Sequence, residues 1–478
     1  MSIRFAAALT AGKFCAAVLG AFFPKRGSNM PGAIALKFDP LFLSHIKGVD
    51  PAKTIFITGT NGKSTANNMV VHTFETAGHT VCSNIEGANM KAGIASAVIK
   101  STSAGGRFVK DYLILEIDER SLAGVAKDLP PGHLCVTNIQ KDQVQRNGDP
   151  DYIYQKIGGA IRAISAAGAA GGFTLYVNND EPRCKSLESF LPEGRRARSY
   201  GVAQNARSAI VEKGWGVTMP CPLCHDALEF TRYNLAGVGA FLCPNCGFAS
   251  DGTPDVRITG VDFENESFRV SVKGGQPAET QTPLPEAEDR GEACRLAYPA
   301  AFFLYNYALC ACVGAALGID AETRRRAFDT FSNIGGRMED FLYKGKHIHY
   351  MRIKQENPET LQSALDTMAV DRSEKVFVFG PAIVDDIVPH YSNTFYTFDC
   401  NFEPLVASGL ERCICFGSVI SLDAANRLRY AGVPDENIDV IDTDDDEEIL
   451  AAIAACRTDN IYLITWIKKY ERLKRRAG

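Results

Sequence analysis

Residues 54–65, Thr-Ile-Phe-Ile-Thr-Gly-Thr-Asn-Gly-Lys-Ser-Thr, constrain the fold of this chain more than any other stretch. A β-branched apolar run ends on Gly59, a second glycine follows at Gly62, and helical spacing starts at Lys63 and runs on through TANNMVVHTFETAG. A strand turning into a helix needs another strand to return to, and TVCSN supplies it, so the unit is strand, loop, helix, strand. The loop has the composition of a phosphate cradle. Its glycines let the backbone curl until consecutive N–H groups and the helix N-terminus face an anion. Lys63 would reach the β- and γ-phosphates of a nucleotide, and Ser64 or Thr65 would place a hydroxyl on Mg²⁺. The general nucleotide loop has a glycine five residues before Gly62; Ile57 stands there, so this is the shorter GTNGK[ST] form.

The same alternation continues. YLILEID (112–118), LCVTNI (134–139) and FTLYVNND (173–180) read as buried strands, the last preceded by an alanine-rich helix at 153–170. Strands alternating with helices predict an α/β fold with a mostly parallel, doubly wound sheet. VRITGVDFENESFRVSVKG (256–274) reads as an antiparallel hairpin, and a long Ala/Leu/Cys helix is expected at 299–317. From about residue 340 a second alternation begins: KVFVFG (375–380), RCICFG (412–417), NIDVID (437–442) and NIYLITW (460–466). The acidic run TDDDEE (443–448) is placed at a helix N-terminus, where negative charge is favourable. A chain of 478 residues exceeds one core and suits two or three domains. The expected division is an N-terminal helical segment (1–45), an ATP-binding domain in two parts (46–205 and 258–339), an insertion (206–257) and a Rossmann-like α/β domain (340–478). Residues 5–23 are apolar apart from Lys13 and small polar residues. They read as a helix packed on the domain or touching a membrane surface, with a true membrane anchor as the alternative.

The insertion carries the second motif. Cys221-Pro-Leu-Cys224 and Cys243-Pro-Asn-Cys246 are two C-P-x-C pairs that together offer four thiolates, a closed tetrahedral shell for a structural Zn²⁺. His225 is a weaker candidate ligand, and Trp215, Phe230, Tyr233 and Phe241 would supply a small local core. A nucleic-acid ribbon is the rival reading. The net charge of −5 and the little basic charge offered by TMPCPLCHDALEF give phosphate backbones little to hold. The fifteen cysteines are odd in number and irregularly spaced, which suits a reducing cytosol better than a disulfide framework.

TGTNGKST resembles the ATP loop of the Mur ligase family, and later motifs follow in family order. Glu116 in LEIDE matches the Mg²⁺-binding glutamate. TNIQKDQVQRNGD matches the asparagine–aspartate–arginine–glycine pattern through Asn138, Asp142, Arg146 and Gly148, with Gln143 at the usual histidine. VNNDEP (177–182), with Asn178 and Asp180, resembles the adenine-side motif, and Gly336-Arg337-Met338-Glu339 resembles the hinge motif. Asn306 matches one family asparagine, while Phe303 replaces the other. The resemblance implies that Gly59, Thr60, Asn61, Gly62, Lys63, Ser64, Thr65, Asn138, Asn178, Asp180, Asn306 and Arg337 bind ATP, with Ser64 and Glu116 on Mg²⁺ and Lys63 and Glu116 catalytic.

A Mur-type central domain with a four-cysteine ribbon is similar to the branch forming the ligase-like subunit of lipid II isoglutaminyl synthases. That likeness implies amidation of the D-glutamate α-carboxylate of the lipid II stem peptide through an acyl phosphate. It also implies ammonia from a glutamine amidotransferase (GatD-like) partner and a cytoplasmic location, at most peripheral to the inner face of the membrane. The C-terminal domain departs from the branch. Glu356 stands at an expected lysine and Glu359-Thr360 replace Ala-Gly around Asn357-Pro358, while FDCNFE (398–403) keeps Asp399 and Glu403. Asn393 falls where an amidation aspartate belongs, with Asp386 and Asp385 nearby as substitutes. Two other readings stay open: a Mur-type ligase adding another amine to a different precursor, and a non-catalytic ATP-binding paralogue.

Overall fold

The structure is a computed structural model. It describes residues 2–22, 29–84, 88–142, 148–167, 172–210, 219–235, 237–273, 293–297, 300–332, 338–354, 356–381, 395–417 and 420–478. The chain divides into two compact units, residues 1–140 with 149–332 and residues 141–148 with 333–478.

The first unit is built on a nine-stranded sheet. In spatial order its strands are Ala293–Arg295, Ser267–Val272, Val256–Asp262, Arg198–Val202, Thr174–Asn178, His133–Val136, Thr54–Thr58, Tyr112–Glu116 and Val81–Cys82. Pairing is parallel from Val256–Asp262 to Val81–Cys82, and the other edge is the expected antiparallel hairpin, followed by the short strand Ala293–Arg295. The pleat sends Ile55 and Ile57 to one face and Phe56 to the other, and all three are fully buried. Such a strand reads as a continuous apolar run because helices cover both faces. Lys63–Thr76 and Ala301–Ala316 pack on the Ile55 side, and Lys91–Lys100, Leu122–Asp128 and Pro150–Ala167 on the Phe56 side. Small side chains at Ala308, Cys310, Ala311, Cys312 and Gly314 line the largely apolar Ala301–Ala316 and let it lie close to the sheet. Burial holds the Cys310 and Cys312 thiols up at about 12, so they act as small apolar side chains.

Thr54–Thr58 sits between Tyr112–Glu116 and His133–Val136, so the strand order reverses direction around it. In an open parallel sheet that reversal opens a crevice at the carboxyl ends of the strands, where ligands bind. The loops leaving these three strands are 59–62, 117–121 and 137–140.

A separate three-stranded antiparallel sheet, Ala209–Ile210, Glu229–Leu235 and Val238–Leu242, carries the two cysteine pairs. Its core is Cys221, Leu228, Phe241 and Cys243, with Met219, Phe230 and Phe248 against them. Tyr233 stacks on Phe230 at 4.6 Å. Trp215 lies outside the described residues.

The second unit is a six-stranded sheet in the order Met338–Tyr343, Lys346–Met351, Asn460–Thr465, Lys375–Gly380, Leu410–Phe416, Ile438–Ile441. The first pair is an antiparallel hairpin and the remaining pairs are parallel, with helices on both faces. Lys344 and Gly345 both adopt positive φ (46° and 80°), the two-residue turn that matches strand twist. Asp445, in the acidic run, caps Asp446–Ala455 through the Glu447 and Glu448 N–H groups.

Candidate functional site

The crevice at the reversal is lined by the glycine loop. Gly59 adopts φ +121°, and a Cβ there would lie 2.4 Å from Thr137 Oγ1 and 2.8 Å from the Asn138 carbonyl. Gly62 adopts φ +79°, and its Cβ would lie 2.7 Å from Asn306 Oδ1. Both positions therefore require glycine by conformation and by space. The loop is pinned to the strand-end segment 137–140. The Thr60 N–H donates to the Asn138 carbonyl at 2.8 Å and the Asn61 N–H to Asn138 Oδ1 at 2.8 Å. Asn138 Nδ2 returns to the Asn61 carbonyl at 3.0 Å, and Asn61 Nδ2 donates to Gln140 Oε1 at 3.0 Å.

Gly62 is the N-cap of Lys63–Thr76 and offers no side-chain acceptor, so the first-turn N–H groups point into the crevice uncapped. Ser64 is exposed at that turn and Thr65 is buried. Lys63 is buried at 8% exposure, its Nζ donating to the Gly59 carbonyl, to Thr60 O at 3.2 Å and to Glu119 Oε1 at 3.2 Å. Glu116, also buried, sits at the end of its strand with its backbone clamped by Asn84 and its Oε1 accepting from Asn89 Nδ2 at 2.9 Å.

These residues fit a Mg²⁺-nucleotide on two observations. The donor set is right for phosphate: an ammonium, uncapped backbone N–H groups and an exposed hydroxyl around a glycine cradle. Asn306 Nδ2 is buried beside Gly62 with no hydrogen-bond partner, a donor that a phosphate or sugar oxygen would satisfy. Replacing Asn306 by leucine keeps the volume and removes that donor. ATP affinity measured by calorimetry should fall roughly tenfold, with no fall in Tm, since the orphaned polar group leaves the protein as well.

The adenine-side segment is largely committed to the protein itself. Asn178 Nδ2 donates to the Thr137 carbonyl at 3.4 Å, and its Oδ1 accepts the Asp180 N–H at 3.1 Å. The Asp180 carboxylate accepts from the Val202 N–H at 2.8 Å, Tyr305 Oη at 3.0 Å and Asn179 Nδ2 at 3.1 Å. Burial pushes its pKa up, and those donors pull it back. The Asp180 carbonyl takes the Gly239 N–H at 2.7 Å, and Asn179 exchanges two hydrogen bonds with the Asp251 backbone. This segment is thereby the anchor of the cysteine-bearing sheet. Glu119, Asn84, Asn89, Gln140 and Tyr305 are the site residues that sequence reasoning missed. Glu119 alone had a local signal, as the second glutamate in LEIDE.

The four cysteines converge. Their Sγ atoms all lie within 4.8 Å of one another, with Cys221 to Cys246 at 3.7 Å and Cys224 to Cys243 at 3.5 Å. Four sulfurs about 2.3 Å from a tetrahedral Zn²⁺ would stand roughly 3.8 Å apart, so the thiols fit that ion. The two knuckles share one backbone pattern. The Cys221 N–H donates to Asp226 O and the His225 N–H to Cys221 O; the Cys243 N–H donates to Phe248 O and the Gly247 N–H to Cys243 O. His225 and Gly247 occupy equivalent positive-φ positions (65° and 73°), which makes His225 a turn residue outside the thiol cluster. The N–H of Asp226 helps draw the Cys224 thiol down to about 7.

In the second unit Asp142 is buried under Lys354 Nζ, and Asn357 Nδ2 donates to Lys141 O at 3.0 Å. Lys354, two residues before Glu356, supplies a cation there; Glu356 itself is buried at φ +56°. Asp399 pairs with Lys141 at 3.1 Å, and Glu403 with the fully buried Arg427 at 3.3 Å. Glu359 Oε2 is buried without a hydrogen-bond partner. Desolvation, with Asp142 and Asp399 nearby, lifts the Glu359 pKa to about 8, above the 4.5 of a free glutamate. The folded state therefore holds this proton more tightly than the unfolded chain, and stability falls as pH rises from about 4.5 to about 8. Glu359→Gln should raise Tm relative to the parent at pH 8.5 and leave the two equal at pH 5. Arg146, Gln143, Gly336, Arg337, Asp385, Asp386 and Asn393 lie outside the described residues.

Against known proteins, the family model described as MurT ligase C-terminal matches residues 355–467. The MurT subunit of the glutamine-hydrolysing lipid II isoglutaminyl synthase of Staphylococcus aureus is 27% identical over 82% of this chain and 81% of its own length. The subunit of the same name from Streptococcus pneumoniae is 25% identical over 92% of this chain and 90% of its own. The chain is similar to MurT subunits over most of its length. Its fold is that of the Mur ligases: the MurF ligase of Thermotoga maritima, solved in complex with ADP, superposes with a TM-score of 0.59 at 14% identity, covering 92% of this chain and 83% of that one. The MurT match by sequence thus spans the glycine loop, the four-cysteine sheet and the C-terminal unit together.

Proposed function

We propose that this ATP-dependent ligase amidates the D-glutamate α-carboxylate of the lipid II stem peptide, with ammonia delivered by a glutamine amidotransferase subunit of the GatD kind. The observation that carries the reading is the sequence match across nearly the whole chain to subunits named for that reaction, joined to a phosphate cradle with a buried lysine. In this reading the chain works in the cytoplasm, against the inner face of the membrane.

The chemistry explains the parts. A carboxylate oxygen attacks the γ-phosphorus of ATP, ADP departs, and an acyl phosphate results. The nitrogen of ammonia then attacks the carbonyl carbon, phosphate leaves with the C–O bond pair, and nitrogen loses a proton to give the amide. Lys63 and the N-terminus of its helix stabilise charge spreading over the transferred phosphoryl group. Asn138 and Gln140 hold the loop in register, and Glu119 holds the Lys63 ammonium at the loop. A Mg²⁺ held by Ser64 and Glu116 would neutralise phosphate charge. A Zn²⁺ held by the four cysteines has no open position and would be structural. Asn393 and Asp386 are proposed for the amine side, where a carboxylate can accept the ammonia proton and an asparagine cannot. The test is ADP release by the chain alone with lipid II, ATP, Mg²⁺ and an amine panel. Ammonium alone should support turnover; turnover only with an amino acid would replace this reading with that of an amino-acid-adding ligase.

A further inference from the structure

Helix Ile3–Phe22 is attached to the first unit by one edge of its N-terminal half. Phe5, Ala8, Leu9 and Gly12 are buried, Phe5 packs on Phe42 at 5.4 Å, and Lys13 Nζ donates to the Ile99 carbonyl at 3.3 Å. No residue from 13 to 22 is buried. At 100° per residue the buried positions centre on one side, while Ile3, Ala7, Thr10, Phe14, Ala17 and Ala21 fall within an arc of about 80° on the opposite side. That outer arc is exposed and apolar: Ile3 is 90% exposed and Phe14 71%, while Phe22, 73% exposed, lies about 60° past the edge of the arc. The next helix, Met30–Phe38, adds Met30 at 50% and Phe38 at 53%.

Charge identifies what such a surface fits. The first 38 residues contain no aspartate or glutamate and five basic residues, Arg4, Lys13, Lys25, Arg26 and Lys37, in a chain whose net charge is −5. Arg4 and Lys37 are exposed. An apolar arc on a locally cationic segment complements an anionic bilayer surface, where side chains enter the acyl boundary and basic residues meet headgroup phosphates. The helix is long and apolar enough to cross a membrane, but its buried edge commits the first half to the protein.

We propose that the outer face of Ile3–Phe22 docks this chain on an anionic lipid bilayer, lying in the interface with Phe14, Val18 and Phe22 as anchors. The inference deepens the proposed function, since a lipid-borne substrate brings this surface to a bilayer, and it is tested without substrate. Full-length protein should float with phosphatidylcholine vesicles containing phosphatidylglycerol, and far less with phosphatidylcholine alone. Phe14→Glu with Val18→Glu changes only residues that are not buried and should weaken vesicle binding by roughly tenfold per lost anchor, with Tm unchanged. ATP binding and amidation of detergent-dispersed lipid II should stay at parent levels, so failure of docking and failure of the proposed chemistry read out separately. No flotation, or equal flotation of the double variant, overturns the proposal. So does a parent dimer that the double variant disperses without any vesicle binding, which would make the face a contact between copies.

Discussion

Replacing Lys63 by methionine should lower the rate of ATP-dependent turnover by about a thousandfold, near 4 kcal/mol of transition-state stabilisation. Lys63 is the only side-chain cation that hydrogen-bonds the glycine loop among the described residues, and it is held there at 8% exposure. A charge shielded from water acts on a neighbouring phosphate far more strongly than a solvated one. Methionine preserves the aliphatic stem, so packing around the helix start is retained and Tm should change little. Some nucleotide binding should survive, because the backbone N–H groups and Asn306 remain. The expected pattern is thus a collapse of kcat with a smaller change in Kd for ATP, read by single-turnover kinetics beside calorimetry.

The second large effect is on the four-cysteine sheet. Its core is four buried residues with a few partly buried neighbours, too little apolar area to fold a three-stranded sheet unaided. Stripping the metal, or Cys243→Ser, should melt this module, since structural zinc supplies on the order of 10 kcal/mol of local folding free energy. Amide exchange should accelerate across Glu229–Leu242, and elemental analysis should find one zinc per parent chain. The loss should reach the crevice. The Asp180 carbonyl would lose the Gly239 N–H, Asn179 would lose order in its Asp251 partner, and Asn178 of the same segment is bonded to Thr137 beside Gly59. A several-fold weakening of ATP binding should accompany melting. Unchanged exchange after complete metal removal would show that thiol packing alone holds the module.

Local chemistry made much of this legible. Gly59, Gly62 and Lys63 announce themselves because a left-handed backbone and a phosphate-facing ammonium are demands of single residues. The cysteine pairs do so because ligand spacing is local. The fully buried strands were visible as apolar runs. The hairpin Met338–Met351 was not, because its turn is Lys344-Gly345 rather than an asparagine- or aspartate-glycine pair. Distance in sequence hid the rest. Asp180 reads as a nucleotide contact, yet Val202 and Tyr305, 22 and 125 residues away, occupy its carboxylate. The partnership of Lys63 with Glu119 spans 56 residues. In the C-terminal unit Glu356 and Glu359 read as departures from a pattern, and only the packing shows Lys354 supplying charge to Asp142.

The most direct test of the account is mass spectrometry of lipid II incubated with the purified chain, ATP, Mg²⁺ and excess ammonium. The account predicts one D-glutamate hydroxyl replaced by an amino group per stem peptide, abolished in Lys63→Met. Unaltered lipid II, from protein that still binds ATP and under conditions where an authentic synthase amidates it, would contradict the account.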